Sequence, residues 1–221
     1  DTAISNGVTV VASPAKFGVS ALKFPAYGYV PFAQGVFPAV PANNDFSIEF
    51  WQYIESGGGA PGVTTSVGHV GIIDTHLVST VGGSATGPAT ASATTWYHVA
   101  LTRKGNMVRG FLNGAMQFSY LYTGSLYING FRSSAATSDT TVMYLDSFGF
   151  SNNFAMWSDD FSKPVEPFYM VPLSSGAVTG YVSTVVAGEA TGSFLTPTEY
   201  DPHWGKVVLL VTGQGQDGST S

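Results

Sequence analysis

Residues 96–114, Trp-Tyr-His-Val-Ala-Leu-Thr-Arg-Lys-Gly-Asn-Met-Val-Arg-Gly-Phe-Leu-Asn-Gly, constrain the fold more tightly than any other stretch of this 221-residue chain. Residues 96–103 are aromatic and β-branched, and Lys104-Gly105-Asn106 is turn chemistry. Residues 107–112 make a second short strand. Asn113-Gly114 is a strong two-residue hairpin signal, because both residue types tolerate φ > 0. The block therefore reads as a three-stranded meander running into Met116 and Phe118.

A second segment gives the same answer by alternation. From Phe46 to Ile54, the residues Phe46, Ile48, Phe50 and Ile54 fall on one face, and Glu49, Trp51 and Tyr53 on the other. That pattern predicts a half-buried strand of an antiparallel sheet. Further strands are predicted near 8–11, 20–24, 69–73, 115–119, 125–128, 142–150 and 207–211. No segment of eleven or more residues has clean helical periodicity. Turn signals about every ten residues then mean an all-β sandwich. Phe46, Ile48, Phe50, Val99, Leu101, Val108, Leu112 and Phe148 are its expected core. Residues 55–68 and 79–95 are rich in small and polar types, lack aromatics and read as surface loops, the second a flap.

The wording of these blocks resembles the laminin-G-like branch of the concanavalin A-like lectin/glucanase sandwiches. A strand like Asp45–Trp51 precedes the Trp96–Arg103 block by about fifty residues in that family, as here. Lys16–Phe24, Tyr127–Gly130, Tyr144–Phe148, Phe154–Trp157 and Phe161–Pro164 resemble its other strands and exit segment. The resemblance covers most of residues 8–168 and implies an antiparallel jelly roll. This version of the wording is frequent in bacteriophage virion proteins.

The C-terminal part departs from the family order. Residues 201–221, with Val207–Val211 at their centre, resemble the family's opening strand, which this chain carries last. The expected organisation is a jelly-roll body at 1–168, an extended arm or small hairpin at 169–202, and a displaced closing strand within 203–221. That strand is expected to complete the sandwich of its own or a neighbouring subunit, since an empty slot leaves backbone groups unpaired.

Composition removes several functions. Only 10% of residues are charged, and the net charge is −6 with eight basic residues. Phosphate neutralisation has no footprint, so nucleic acid is not an expected partner. The absence of cysteine removes disulfides, thiolate metal sites and cysteine catalysis. The longest apolar run is far short of a membrane span, so no membrane partner is expected.

Catalytic motifs fare poorly. Gly213–Gly218 matches G-x-G-x-x-G, but no helix and later acidic residue follow, so a glycine-rich turn is preferred. Glycoside hydrolysis needs two carboxylates about 5–9 Å apart across the sugar. Glu49 and Glu55 have nothing acidic between them, and Asp159-Asp160 diverge if extended. His69, His76, His98 and His203 lack ligand spacing. No cofactor is expected; if an ion is held, the resemblance points to calcium, with Asp74 or Asp146 as ligands. The chain is expected not to be an enzyme.

Aromatic residues supply the candidate binding surface. Trp51, Tyr53, Tyr120, Tyr122, Tyr127 and Trp157 offer rings on which sugars stack, and Asn129 a hydrogen-bonding partner. The competing reading is that these rings fill a core or an interface, where Tyr and Trp are enriched. Together with the resemblance, the expectation is a virion structural protein, either capsid decoration or a tail or fibre subunit. It would sit at the virion surface or outside the cell, with its own copies, virion proteins and host-surface glycans as partners. The alternative is a carbohydrate-binding module of an extracellular adhesin.

Overall fold

The computed structural model describes residues 7–32, 36–56, 62–133 and 140–163, with the backbone of five short strands beyond them. The strands of the body are β1 (Thr9–Val11), β2 (Ala21–Phe24), β3 (Tyr29–Pro31), β4 (Phe46–Ser56), β5 (Gly62–Thr65), β6 (Gly68–Ile73) and β7 (His76–Ser79). They continue as β8 (Ala85–Thr90), β9 (Trp96–Lys104), β10 (Met107–Leu112), β11 (Ala115–Leu121), β12 (Ile128–Arg132) and β13 (Val142–Ser151). Later come β14 (Leu173–Ser174), β15 (Ala177–Val178), β16 (Tyr181–Val186), β17 (Glu189–Phe194) and β18 (Leu209–Val211). No helix occurs among the described residues, so none is long and apolar enough to cross a membrane.

Two antiparallel sheets make the body. One runs β1-β2-β13-β4-β9-β10-β11, and the other β3-β12-β5-β6-β7-β8. The meander forms as its turn residues dictate. Asn113 and Gly114 both take positive φ, 51° and 87°, and join β10 to β11 in a two-residue loop. The alternation of β4 sets the facing: Phe46, Ile48 and Phe50 are fully buried between the sheets. All eight expected core residues lie in that cluster. Phe24, Phe32, Phe37, Phe131, Phe148 and Phe150 add a chain of edge-to-face ring pairs.

Two expected loops contain strands. Gly62–Thr65 is a buried strand of the second sheet, and Ala85–Thr90 is that sheet's edge strand. Their small and hydroxylated residues hide the alternation that marks strands elsewhere. The strand expected at 125–128 sits later, at Ile128–Arg132.

The outer face of the larger sheet is covered by residues 154–163. Ser47 Oγ donates to the Phe154 carbonyl, Thr102 Oγ1 donates to the Trp157 carbonyl, and the Phe161 N–H donates to Gly114. Phe161 lies flat on Trp157 at 3.8 Å and edge-on to His98.

In the C-terminal part, β14 pairs with β15 and β16 with β17, each as a separate two-stranded sheet. β18 pairs antiparallel with β13, matching Phe148 to Val211 and Phe150 to Leu209. The same strand pairs with β2 at Met143–Leu145. β2 and β18 therefore divide one strand's pairing between them. The rest of 164–221 lies outside the described residues.

Candidate functional site

The smaller sheet presents a polar pocket of about 220 Å³ lined by Tyr29, Thr64, Thr65, Gly68, His69, Asn129 and Arg132. Strand alternation builds it. Val30, Phe131, Val63 and Val70 point into the core. Their neighbours Tyr29, Arg132, Thr64 and His69 therefore point outward from four adjacent strands. Arg132 pairs across the ladder with Tyr29, and Thr64 with both Gly130 and His69. Gly130 allows the strands to approach: a Cβ there would sit 2.2 Å from the Val30 carbonyl oxygen.

Hydrogen bonds fix the rim. Thr64 Oγ1 donates to the Gly130 carbonyl at 3.0 Å, and Thr65 Oγ1 to Gly68 at 3.1 Å. The His69 backbone N–H donates to Thr80 Oγ1, which lies 3.1 Å from His69 Nδ1. Thr80 Oγ1 thus engages both the backbone N–H and the Nδ1 of His69. Burial and the nearby Arg132 charge both hold the His69 pKa below its ordinary value, favouring the neutral ring. The Arg132 Nε is buried with no hydrogen-bond partner. Among the described residues no carboxylate lines the pocket.

The expected ring surface is distributed differently. Trp51 is fully buried, between Phe17 at 5.5 Å, His98 at 5.4 Å and the Lys16 ammonium at 4.2 Å, so it offers no face to a sugar. This corrects the expectation for Trp51: the outer face of β4 is a second packed layer beneath residues 154–163. Trp157 belongs to that cover, with Nε1 donating to Glu49 Oε2 at 3.3 Å. Tyr53 is half-buried on the same sheet, against Trp96 and Tyr144. Tyr120 packs against the core and shares its hydroxyl with Ser79 and the Val81 carbonyl. Tyr122 stacks near the Arg103 guanidinium and donates to Ser125. Tyr127 is half-buried just ahead of β12. Of the expected residues only Asn129 lines the pocket. Tyr29, His69 and Arg132 were not singled out for binding, because a single outward residue per strand carries no local signature.

The carboxylates are likewise committed. Asp146 accepts from the backbone N–H groups of Lys16 and Phe17 at 2.9 and 3.0 Å, so it anchors that loop. Asp74 sits exposed in the turn between β6 and β7. Among the described residues no three His, Asp or Glu side chains gather as a metal site. Glu49 is buried against His98 Nε2 at 3.2 Å, and Glu55 accepts from the Tyr144 hydroxyl.

Comparison with known proteins agrees with this architecture. The family described as the Concanavalin A-like lectin/glucanases superfamily, Laminin_G_3, matches residues 24–159. No curated protein sequence matches the chain. The binding domain of Paraclostridial Mosquitocidal Protein 1 is similar in structure, with TM-score 0.51 and 13% identity over 70% of this chain. Only 44% of that longer chain is covered. The cellulose-induced protein Cip1 aligns with TM-score 0.46 at 12% identity, over 66% of this chain and 85% of its own. An alginate lyase of polysaccharide lyase family 7, AlgAT5, aligns with TM-score 0.40 at 13% identity, over 57% of this chain and 74% of its own. At 13% identity the likeness to the mosquitocidal binding domain speaks to fold alone.

Proposed function

The chain belongs to the Concanavalin A-like lectin/glucanases superfamily through its Laminin_G_3 match, and from that premise we propose that it is a non-enzymatic glycan-binding subunit. Its site in this reading is the pocket on the smaller sheet. The observation that carries the reading is the row Tyr29, Arg132, Thr64 and His69, which turns a ring and several hydrogen-bonding groups outward into one concavity. A ring beside a few convergent polar groups is the make-up of a small-molecule site. Among the described residues the pocket lining has no carboxylate pair for the two-carboxylate route of glycoside hydrolysis.

The reading extends to a structural role at a virion surface, as capsid decoration or a tail or fibre subunit. Its support is the wording of the Trp96–Arg103 block and the 10% charge content. The edge strand β11 adds Met116 and Leu121, which is 71% exposed, as apolar contacts for a neighbouring subunit.

Titration of the purified protein against soluble oligosaccharides tests the binding reading. Affinity in the millimolar range or tighter for at least one sugar is expected, with loss on Asn129→Ala. Absence of binding across neutral and acidic sugars overturns it. New reducing ends or shortened chains would overturn the non-enzymatic part.

A further inference from the structure

We infer that the pocket selects acidic glycans, seating an oxyanion (a carboxylate or a sulfate ester) between Arg132 and His69. The inference rests on the glycan-binding reading above and adds the class of sugar.

The first support is an unmet donor. The Arg132 side chain makes no hydrogen bond or ion pair with a described residue, and its Nε is enclosed without a partner. A guanidinium that lines the pocket with no carboxylate partner among the described residues is a charge that an anionic ligand there can pair. Arginine is suited to the task because its planar fork matches oxyanion geometry. The second support is the histidine. With Nδ1 engaged by Thr80, the ring nitrogen left to meet a ligand is Nε2, a donor in its N–H tautomer. A neutral imidazole beside a guanidinium provides a second donor without a second desolvated charge. The third is charge. The protein carries a net −6, yet among the described residues the pocket lining contains one permanent cation and no anion. An acidic sugar repelled by the surface at large meets a favourable potential there. Asn129 and Thr64 line the pocket as partners for the neighbouring hydroxyls, and Tyr29 adds a ring to its lining.

Isothermal titration with three hexasaccharides of equal length tests this: a galacturonate, a sulfated galactan and an unmodified galactan. The expected result is at least a tenfold preference for one or both acidic sugars over the neutral one. Preference for the galacturonate assigns a carboxylate, and preference for the sulfated sugar assigns a sulfate ester. Arg132→Gln should reduce the preference to within threefold. Arg132→Lys should retain part of it, and covers the case in which the glutamine variant fails to fold. Equal affinity of the wild-type protein for all three sugars overturns this inference but leaves the glycan-binding reading standing. No binding to any of them overturns both. Acidic preference that survives intact in folded Arg132→Gln removes Arg132 from the site and overturns the inference.

Discussion

Arg103 Nη1 donates to the Gly124 carbonyl at 2.6 Å from a side chain wholly buried at one end of the sandwich. Nε and Nη2 of the same guanidinium donate to Asn44 and Pro41. The rings of Phe46 and Tyr122 flank it at 5.2 and 5.5 Å. One cation thus ties the entry to β4 to the turn that leads into β12. Arg103→Ala leaves these carbonyls without their donor and should cost about 3–5 kcal/mol in urea unfolding. Arg103→Lys should recover part of that, since an ammonium lacks the planar fork that spans three acceptors. Equal midpoints for wild type and Arg103→Ala would remove the tie.

Glu49 serves the packed outer layer. It accepts from Trp157 Nε1 and lies 3.2 Å from His98 Nε2, beneath residues 154–163. Glu49→Gln should cost about 1–3 kcal/mol. Glycan affinity should be unchanged, because the pocket lies on the other sheet. A fall in sugar affinity in a folded Glu49→Gln protein would relocate the site.

Tyr120 predicts an alkaline weakness. Burial pushes its phenol up to about 12, against an ordinary value of 10.0. Between those values the unfolded chain loses the proton that the folded chain keeps, so stability is intact below pH 10 and falls as pH rises towards 12. Melting temperature measured from pH 9 to 11.5 should decline more steeply for wild type than for Tyr120→Phe. Parallel profiles would refute the assignment.

Phe50 is fully buried in the centre of β4. Phe50→Ala should lose about 3–5 kcal/mol. Chemical denaturation reads this directly.

Deleting residues 201–221 removes β18 and strips β13 of its outer partner at Phe148–Phe150, leaving β4 on the other edge. If β18 closes its own subunit, the truncated monomer should melt lower, and an added peptide of residues 203–221 should restore it. If the strand serves a neighbour, truncation should abolish assembly and leave the monomer folded. A truncated chain that melts and assembles like the parent would show that neither applies.

Much of the body was legible because its strands carry large apolar residues at period two. β4, β9 and β10 declare themselves through Phe46, Ile48, Phe50, Val99, Leu101 and Val108, and the Asn113-Gly114 turn fixes their connection. β5 and β8 were hidden because Thr64, Thr65, Gly87 and Pro88 carry little hydrophobic signal. The pocket was harder still. Tyr29, His69 and Arg132 lie on three strands far apart in sequence, and only sheet order brings them together. Trp51 misled for a related reason: strand alternation gives the face, but not that Phe17 and His98 close over it.

The divided edge of β13 carries a consequence for biosynthesis. β2 and β13 have both been made well before Leu209 is added, so the Phe148–Phe150 stretch of the sheet waits for its partner. At about 5–20 residues per second that wait lasts several seconds in a growing chain. During it, an unpaired strand edge beside the phenylalanine core is open to any nascent neighbour. On a crowded polysome, the order of synthesis itself thus becomes a determinant of whether two copies leave separately or entangled.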